Sequence, residues 1–498
     1  MNTMYFMRYF HVKHCNIRLV LAAGLGLLLP VISFAWDDPP SRGREVTKLY
    51  ADNCARCHGA DLSGGSASSL IDGVWRYGGD DASLAQSIRS RHAGMLTVQP
   101  SLNDAEIRAL VIYIHEKRAA FEQAHTRYAA PVPGTVVPSE KASFQLESVM
   151  ETGLEEPWAL AFLPDGRLLV TERPGRLRII EGGRLLPEPV RGLPPVYGGE
   201  GGLLDVAIHP RYAAGQDWIY LSYGDKTPDG RGMAAVLRGR LRHGALVDQQ
   251  QIFKADPALY RSGGQRFGSR LLFDKENHLF FSVGDRAHPG DEQDLSRPNG
   301  KVHRVNDDGS IPQDNPFVHR AGALPSIWTY GHRNPQGLAF HPVTGELWES
   351  EHGPRGGDEL NILQPGHNYG WPVITYGMNY SGTPITDRLS REGMDQPVTY
   401  WVPSIAASPI AFYTGDRFPS WKNNLFVGSL AAQELRRLVV EGRTVTHQEI
   451  LFKGIGRVRD VVNAPDGSLY IILNQPDRIV HLVPGGQGPG EAVVSLGR

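Results

Sequence analysis

The residues with the most specific chemistry in this chain are Cys54, Cys57 and His58, which form a C-x-x-C-H motif. Two cysteines at this spacing can form thioethers with the vinyl groups of a haem, and the adjacent histidine ligates the iron. A redox-active dithiol is the alternative for such a motif. The chain has three cysteines, and Cys15 lies in an N-terminal leader, so no further thiol remains to pair with this motif. The motif therefore predicts a covalently attached haem c.

A second axial ligand of the iron is expected downstream of the motif, and Met95 is the candidate. A thioether ligand raises the reduction potential of a haem. His92, three residues earlier, is the alternative ligand. The segment resembles class I cytochrome c, including Tyr113 in its last helix. This resemblance implies that His58 and Met95 are the axial pair.

The N-terminus has the organisation of a secretory signal. Positive charges at Arg8, Lys13 and Arg18 precede the apolar residues 19–29, and residues 33–35 (Ser-Phe-Ala) offer a small-x-small cleavage site. We therefore predict a signal peptide over residues 1–35, with an uncleaved anchor as the alternative. No later stretch is apolar enough to span a bilayer, so we expect no membrane span in the mature chain. Export and haem c attachment together favour a periplasmic location.

The region after the haem motif repeats one phrase, a polar turn followed by an apolar strand. Regular strands separated by turn residues are typical of β-propeller blades, which predicts a six-bladed propeller. A pair of two-sheet β-sandwiches is the alternative. The six copies are residues 164–170, 217–221, 277–281, 345–348, 423–427 and 465–471.

The chain is therefore predicted to be multidomain, with a small all-α domain before an all-β propeller. The near-zero net charge of −2, with acids and bases interspersed, gives no basic footprint for nucleic acid. The predicted boundaries are 1–35 for the signal peptide, 36–126 for the cytochrome c domain, 127–141 for a Pro-containing linker, 142–485 for the propeller and 486–498 for a tail.

Four unusual phrases fall in predicted loops of the propeller. Gly, Asn and Pro commonly shape turns, which is their structural explanation. However, two arginines a residue apart, Arg457 and Arg459, can grip a planar carboxylate with their guanidinium groups. The phrases are residues 331–337 (GHRNPQG), 351–359 (EHGPRGGDE), 368–372 (NYGWP) and 457–460 (RVRD).

These phrases closely resemble the soluble family of glucose/aldose sugar dehydrogenases that depend on pyrroloquinoline quinone (PQQ). Further matches lie at residues 156–162, 170–173 and 201–206, and the likeness covers about residues 145–485. The resemblance implies a six-bladed propeller that holds PQQ and Ca²⁺ on its upper face. It also implies that a histidine deprotonates the C1 hydroxyl of a sugar while hydride passes to the quinone.

The resemblance assigns roles to residues by position. Arg333 and Asn334 would contact the quinone, and Arg457 and Arg459 would clamp it. The roles nearest the reaction fall in one loop: Gly353 and Pro354 would offer carbonyl oxygens to Ca²⁺, and Asp358 would orient the catalytic base.

Three positions depart from the family pattern. Arg266 stands where the family has its catalytic histidine, and a guanidinium cannot act as a general base. His352 or Asp358 is a possible substitute. Glu200 occupies the site of a glutamine beside the quinone, where Arg266 is a candidate partner for its charge. Ala431 replaces a lysine that many members offer to the cofactor.

Two functions follow from these residues. The first is a periplasmic quinohaemoprotein that oxidises an aldose or related alcohol with PQQ and passes electrons through haem c to an external acceptor, such as a cytochrome or an oxidase. The second is a non-catalytic or divergent propeller that binds carbohydrate or protein beside an electron-transfer cytochrome. Uptake of PQQ separates the two.

Overall fold

The computed structural model describes residues 39–90, 101–126, 128 and 130–485. The first part of this range is helical. An amide and a carboxylate open the longest helix: Asn103 accepts the N–H of Glu106 at 2.9 Å, and the Glu106 side chain accepts the N–H of Asn103 in return. The helices are α1 (Val46–Asn53), α2 (Ala55–His58), α3 (Asp81–Ser90) and α4 (Asp104–His125).

The helical domain is held together by one apolar face of α4. Leu110 and Ile114 on this helix are buried against Leu49 and Tyr50 of α1 and Leu84 of α3. Burial of such side chains contributes about 1.5–3 kcal/mol each. The result is a small α-helical unit around the haem motif, which agrees with the expected all-α domain.

The rest of the described chain forms six antiparallel sheets. The strands are β1 (Val136–Val137), β2 (Phe144–Met150), β3 (Pro157–Phe162), β4 (Leu168–Glu172), β5 (Arg176–Glu181), β6 (Arg184–Leu185), β7 (Leu203–Ile208), β8 (Trp218–Lys226), β9 (Gly232–Arg242), β10 (Ala245–Phe253), β11 (Gly268–Phe273), β12 (Leu279–Val283), β13 (Lys301–Val305), β14 (Ile327–Tyr330), β15 (Pro335–Phe340), β16 (Leu347–Glu351), β17 (Asp358–Leu363), β18 (Thr399–Trp401), β19 (Ala407–Phe412), β20 (Leu425–Ser429), β21 (Glu434–Glu441), β22 (Thr444–Lys453), β23 (Arg457–Asn463), β24 (Leu469–Asn474) and β25 (Arg478–Pro484).

These sheets are the blades of a six-bladed β-propeller. Blades 1 to 5 are β3–β6, β7–β10, β11–β14, β15–β18 and β19–β22, and blade 6 is β23–β25 completed by β2. The first strand of each blade contacts the first strand of the next, and β23 contacts β3, so the ring is closed. This architecture confirms the predicted fold class and rules out the sandwich alternative.

Each of the six repeated phrases forms the second strand of one blade. These strands, β4, β8, β12, β16, β20 and β24, lie between two neighbours in their sheets. Their residues are buried almost throughout, which explains the apolar pattern of the phrases.

The join between the first and last blades is made by hydrogen bonds. Strand β2, from the beginning of the propeller, pairs with β25 from its end, with Phe144 opposite Pro484 and Leu146 opposite Leu482. Strand β1 pairs with the outer side of β2, although it lies within residues 127–141, which the sequence predicts as a linker. A two-residue edge strand is too short to give a sequence pattern.

The described helices include none that is both long and apolar enough to cross a membrane.

Candidate functional site

The three residues of the haem motif lie at the junction of α1 and α2. Cys54 caps α1, and Cys57 and His58 belong to α2, where both cysteines are free thiols. Burial, with a smaller contribution from Cys57, raises the pKa of the Cys54 thiol to about 11. The His58 Nδ1–H donates to the Ser68 carbonyl at 2.8 Å, which leaves Nε2 free to ligate a metal. Met95 and its alternative His92 lie outside the described residues.

The propeller has a cavity of about 650 Å³ at one end of its axis. All six blades contribute to it, because the first strand of every blade begins at this end. The charged and hydrogen-bonding residues that line it are Glu156, Arg173, Glu200, Asn334, Gln336, His352, Arg457, Arg459, Asn474, Gln475 and Asp477.

Three arginines line the cavity, and three carboxylates line it with them: Glu156, Glu200 and Asp477. Burial and then the neighbouring Arg457 and Arg173 lower the pKa of Arg459 to about 9. Burial also lowers the pKa of Arg457. Arg173 is already paired with Glu156, so Arg457 and Arg459 are the neighbouring guanidinium groups that suit an anion with more than one negative group.

Arg333 lies behind the cavity wall and braces the loop beside it. Its guanidinium donates to the carbonyl oxygens of His352 at 3.0 Å and Gly353 at 2.6 Å. Its Nε is buried with no partner among the described residues. Asn334 does line the cavity, and its Oδ1 accepts the N–H of Gly268 at 3.1 Å.

Sequence reasoning missed the residue that positions Arg333 and Asn334. The Glu351 carboxylate accepts the N–H of Arg333 at 2.6 Å and that of Asn334 at 3.3 Å. It also contacts Nδ1 of the buried His332 at 3.1 Å. The sequence feature that could have identified Glu351 is an acidic residue at the end of a buried strand.

The side chain of Arg266 is buried and points to Asp285. Its Nη1 lies 3.0 Å from Asp285 Oδ2, and both side chains are almost fully buried. Asp285 also accepts from Trp371 Nε1 at 2.9 Å and from the N–H of Ala287 at 2.7 Å. Asp285 lies two residues after the end of β12. A polar residue just beyond a buried strand is the sequence feature that could have identified it.

The suggested ion pair between Arg266 and Glu200 is not formed. Instead, Glu200 Oε2 accepts the main-chain N–H of Arg266 at 2.8 Å. Arg266 has a left-handed backbone with φ of 54°, which turns its N–H toward Glu200 and its side chain toward Asp285. Glu200 therefore remains on the cavity wall near the arginines, and Arg457 attracts its charge.

Asp358 fastens the loop that carries the proposed calcium ligands. Its carboxylate accepts the N–H groups of Gly353 at 2.9 Å and Ile405 at 2.8 Å, and the hydroxyl of Ser404 at 2.8 Å. Burial raises its pKa to about 6. The carboxylate that contacts Arg266, at the position of the family's base, is Asp285. Among the described residues Asp358 makes no hydrogen bond to Arg266, so its role in orienting the base stays a prediction.

The loop at Gly353 and Pro354 is tightly packed. A Cβ at Gly353 would lie 2.2 Å from the backbone of Gly357, so only glycine fits there. Its carbonyl oxygen already accepts from Arg333. Ala431 is exposed and offers no cation to the cavity.

His352 presents a buried nitrogen that no protein group satisfies. Its Nε2 has no hydrogen-bond partner among the described residues, while Nδ1 lies 3.4 Å from Asn334 Nδ2. Burial, then Arg333 and Arg459, lower its pKa to about 3, so the imidazole is neutral near pH 7. His352 also lines the cavity, so its neutral ring is a candidate contact for a ligand there.

Comparison with known proteins gives one family match for the propeller and another for the helical region. Residues 154–481 match the family model Glucose / Sorbosone dehydrogenase, and residues 41–114 match Cytochrome C oxidase, cbb3-type, subunit III. Aldose sugar dehydrogenase YliI of Escherichia coli (strain K12) is 44% identical over 334 residues, which are 66% of this chain and 89% of that protein.

Two solved structures have the same propeller. The apo-form of the soluble aldose sugar dehydrogenase from Escherichia coli is 40% identical, with a TM-score of 0.64, over 69% of this chain and 100% of that chain. The PQQ-bound form of aldose sugar dehydrogenase from Streptomyces coelicolor is 28% identical, with a TM-score of 0.55, over 70% and 99%. The chain belongs to the glucose/sorbosone dehydrogenase family of PQQ-dependent sugar dehydrogenases, and it carries a cbb3-type cytochrome c domain at its N-terminus.

Proposed function

We propose that this protein is a periplasmic quinohaemoprotein dehydrogenase. It oxidises an aldose or a related alcohol with PQQ in the propeller and passes the electrons to its own haem c. An external one-electron acceptor, such as a cytochrome or an oxidase, then reoxidises the haem. The half-buried arginines Arg457 and Arg459, which face the axial cavity, are the observation that carries this proposal.

The chemistry of the cavity suits PQQ, a planar quinone with several carboxylates. Arg457 and Arg459 supply guanidinium groups for those carboxylates, and Asn334 and His352 supply neutral polar groups. When bound, PQQ accepts a hydride equivalent from the substrate. The propeller residues hold the cofactor and the sugar in register and exclude water, and Glu351 keeps Arg333 and Asn334 in place.

Calcium is assigned to the carbonyl oxygens of Gly353 and Pro354. These are neutral ligands, so we expect the ion to bind strongly only together with the anionic cofactor. Asp358 contributes by holding the Gly353 N–H, which fixes the direction of the neighbouring carbonyls.

The haem is assigned to Cys54, Cys57 and His58, with Met95 as the second axial ligand. Conversion of one alcohol to a carbonyl releases two protons and two electrons. A haem held by these residues would supply a one-electron carrier between this two-electron oxidation and the external acceptor. The predicted signal peptide over residues 1–35 supports export to a compartment where haem c is attached.

The test uses the full-length holocytochrome. We would add PQQ and Ca²⁺ and follow the haem α-band under a panel of aldoses and alcohols. Reduction that requires PQQ is the expected result. A haem that dithionite reduces but no substrate does, in a protein that binds PQQ, would locate the defect in the catalytic base. Failure to take up PQQ at all would contradict the proposal.

Replacing Arg459 with methionine tests the anion site. We expect PQQ affinity to fall about 10- to 100-fold, because a charged hydrogen bond to a carboxylate is lost. The apo-protein should keep its Tm, since removal of one of several crowded like charges relieves repulsion. Isothermal titration with PQQ and thermal unfolding measure both effects. Arg443→Met, at an exposed arginine paired with Glu346, is the matched control and should leave PQQ binding unchanged.

The second candidate function is a propeller that binds a carbohydrate or a protein without oxidising it. The buried pair of Arg266 and Asp285 favours it, because the position of the family's base holds no proton acceptor. This function predicts that the protein does not bind PQQ, so the same titration decides between the two.

A further inference from the structure

The helical domain lies against two loops of blade 4. One is the tight loop 352–357 between β16 and β17, and the other is the long connection 364–398 between β17 and β18. Long irregular connections in compact domains usually have a function. Main-chain bonds join the domains: the N–H of Arg42 donates to the Pro384 carbonyl at 2.8 Å, and that of Val46 donates to the Gly382 carbonyl at 3.0 Å.

An ion pair between Arg355 and Glu116 joins the two domains within this contact. The Arg355 guanidinium donates to both oxygens of the Glu116 carboxylate, from Nε to Oε1 at 2.8 Å and from Nη2 to Oε2 at 2.7 Å. Both side chains are half-buried. Hydrogen bonding to Glu116 raises the pKa of Arg355. A two-point pair of this kind fixes orientation as well as distance.

A second group of polar contacts lies beside the ion pair. Arg108 of α4 donates to the Thr375 carbonyl at 3.0 Å, and burial lowers its pKa. Asp81 at the start of α3 accepts the hydroxyl of Tyr400 at 3.0 Å. Gly356 leaves room for Ile112, whose Cγ2 would lie 3.4 Å from an added Cβ. The contact is therefore hydrogen-bonded around a cavity of about 700 Å³, which Asp81, Arg108 and Tyr400 help to line.

The same loops reach the axial site. Arg355 follows directly after Gly353 and Pro354, and its N–H and carbonyl exchange two bonds of 3.0 Å with Met378. The hydroxyl of Tyr380, two residues further on, lies 3.4 Å from Arg333 Nη2. The docked face and the axial site are therefore connected by the same two loops.

The haem motif is close to this contact along the chain. Val46, whose N–H bonds to the propeller, is the first residue of α1, and Cys54 caps the other end of that helix. Eight helical residues span about 12 Å. One rigid helix therefore separates the docking contact from the haem attachment site.

We propose that Arg355 is a positioning residue that holds the haem domain in one fixed place on the propeller, through Glu116. In this docked arrangement, electrons pass from the propeller to the haem across the contact between the two domains. This inference rests on the proposed function for its redox role, whereas the docking itself does not depend on it.

The test reverses the charge of Glu116, which lies in the haem domain and outside the axial site. Glu116→Arg faces Arg355 with a like charge. Amide exchange at Arg42 and Val46 reports docking, because their N–H groups bond to the propeller. We expect their exchange to accelerate at least about tenfold, since like charges at an interface cost several kcal/mol. The Glu116→Arg/Arg355→Glu double variant should restore part of the protection, since Glu45 also attracts Arg355 and would repel the new carboxylate.

Glu122→Arg is the matched control, since it makes the same charge change on the same helix. Its partner, Arg118, is on that helix and not on the propeller. Exchange at Arg42 and Val46 should stay as in the native protein. Unchanged exchange in Glu116→Arg, or equal acceleration in both single variants, would overturn the docking role.

A kinetic readout tests the electron route. In Glu116→Arg, oxidation of sugar with a soluble dye as acceptor should match the native rate, while reduction of the haem by sugar should slow at least about tenfold as the docked population falls. Equal haem reduction in both proteins, with exchange accelerated, would reject the internal route but keep the docking. If native protein with PQQ oxidises no sugar, the proposed function fails, and the exchange experiment still decides the docking.

Discussion

Replacing Arg266 with histidine is expected to raise kcat for sugar oxidation about 10²- to 10⁴-fold, the usual contribution of a positioned general base. Arg266 cannot accept a proton, and its side chain is committed to Asp285 at 3.0 Å. A histidine there would have Asp285 as the carboxylate that orients its ring. Steady-state rates with PQQ, Ca²⁺ and a dye acceptor measure the gain.

Arg266→Gln is the control, because it removes the charge without supplying a base. If the glutamine and histidine variants gain equally, relief of the Arg266 charge explains the change and the base argument is wrong. A native enzyme that already turns over as fast as Arg266→His would identify a base elsewhere. His352 is then the next residue to replace, because its unpaired Nε2 lies on the cavity wall.

The second large effect is expected at Arg270, near the propeller axis. Its Nη1 lies 3.0 Å from Asp460 and 3.7 Å from Asp205, and its Nε donates to the Gln336 carbonyl at 3.0 Å. These residues belong to four different blades. Arg270→Met leaves two buried carboxylates without their counter-charge. We expect the free energy of unfolding of the propeller to fall by about 3–5 kcal/mol and its Tm by on the order of 5–10 °C.

The loss of stability in Arg270→Met should become smaller as the pH falls. Burial already raises the pKa of Asp205 to about 7 and raises that of Asp460. A carboxyl whose pKa is higher in the folded state favours folding when protonated, so its contribution is lost as pH rises through the folded pKa. The Tm deficit of Arg270→Met should therefore shrink between pH 8 and pH 5 in differential scanning calorimetry.

Arg167→Met serves as the control for this stability measurement. Arg167 pairs with Asp165 in an exposed turn of blade 1. Exposed pairs contribute about 0–1 kcal/mol, so its Tm should stay near the native value at every pH. A Tm deficit in Arg270→Met that is no larger than that in Arg167→Met would contradict the proposed role of Arg270. A deficit that grows as pH falls would contradict it as well.

The propeller itself was predictable from sequence, since its evidence is local. Each repeated phrase is the buried second strand of a blade, and its turn and apolar residues lie within a few positions of one another. The arginines of the cavity were also predictable, because Arg457 and Arg459 share one short phrase. Strand β1 was not, because two edge residues carry no pattern.

The residue that pairs with Arg266, and the propeller residue that pairs with the haem domain, could not be predicted in the same way. Arg266 meets Asp285 because adjacent strands bring them together, and Glu200 reaches only its main chain because φ at Arg266 is positive. Arg355 and Glu116 are far apart in sequence and meet only after both domains have folded. Such pairings are set by tertiary structure, and a single sequence does not reveal them.

The pairing of β2 with β25 has a consequence for biosynthesis. The propeller ring is joined by the two ends of its own sequence, so closure must wait until residues 478–484 have been made. The N-terminal helical domain emerges first and can fold before that point. Haem attachment can thus precede completion of the dehydrogenase. A chain that terminates before β25 would consequently carry a folded cytochrome ahead of an open and aggregation-prone ring.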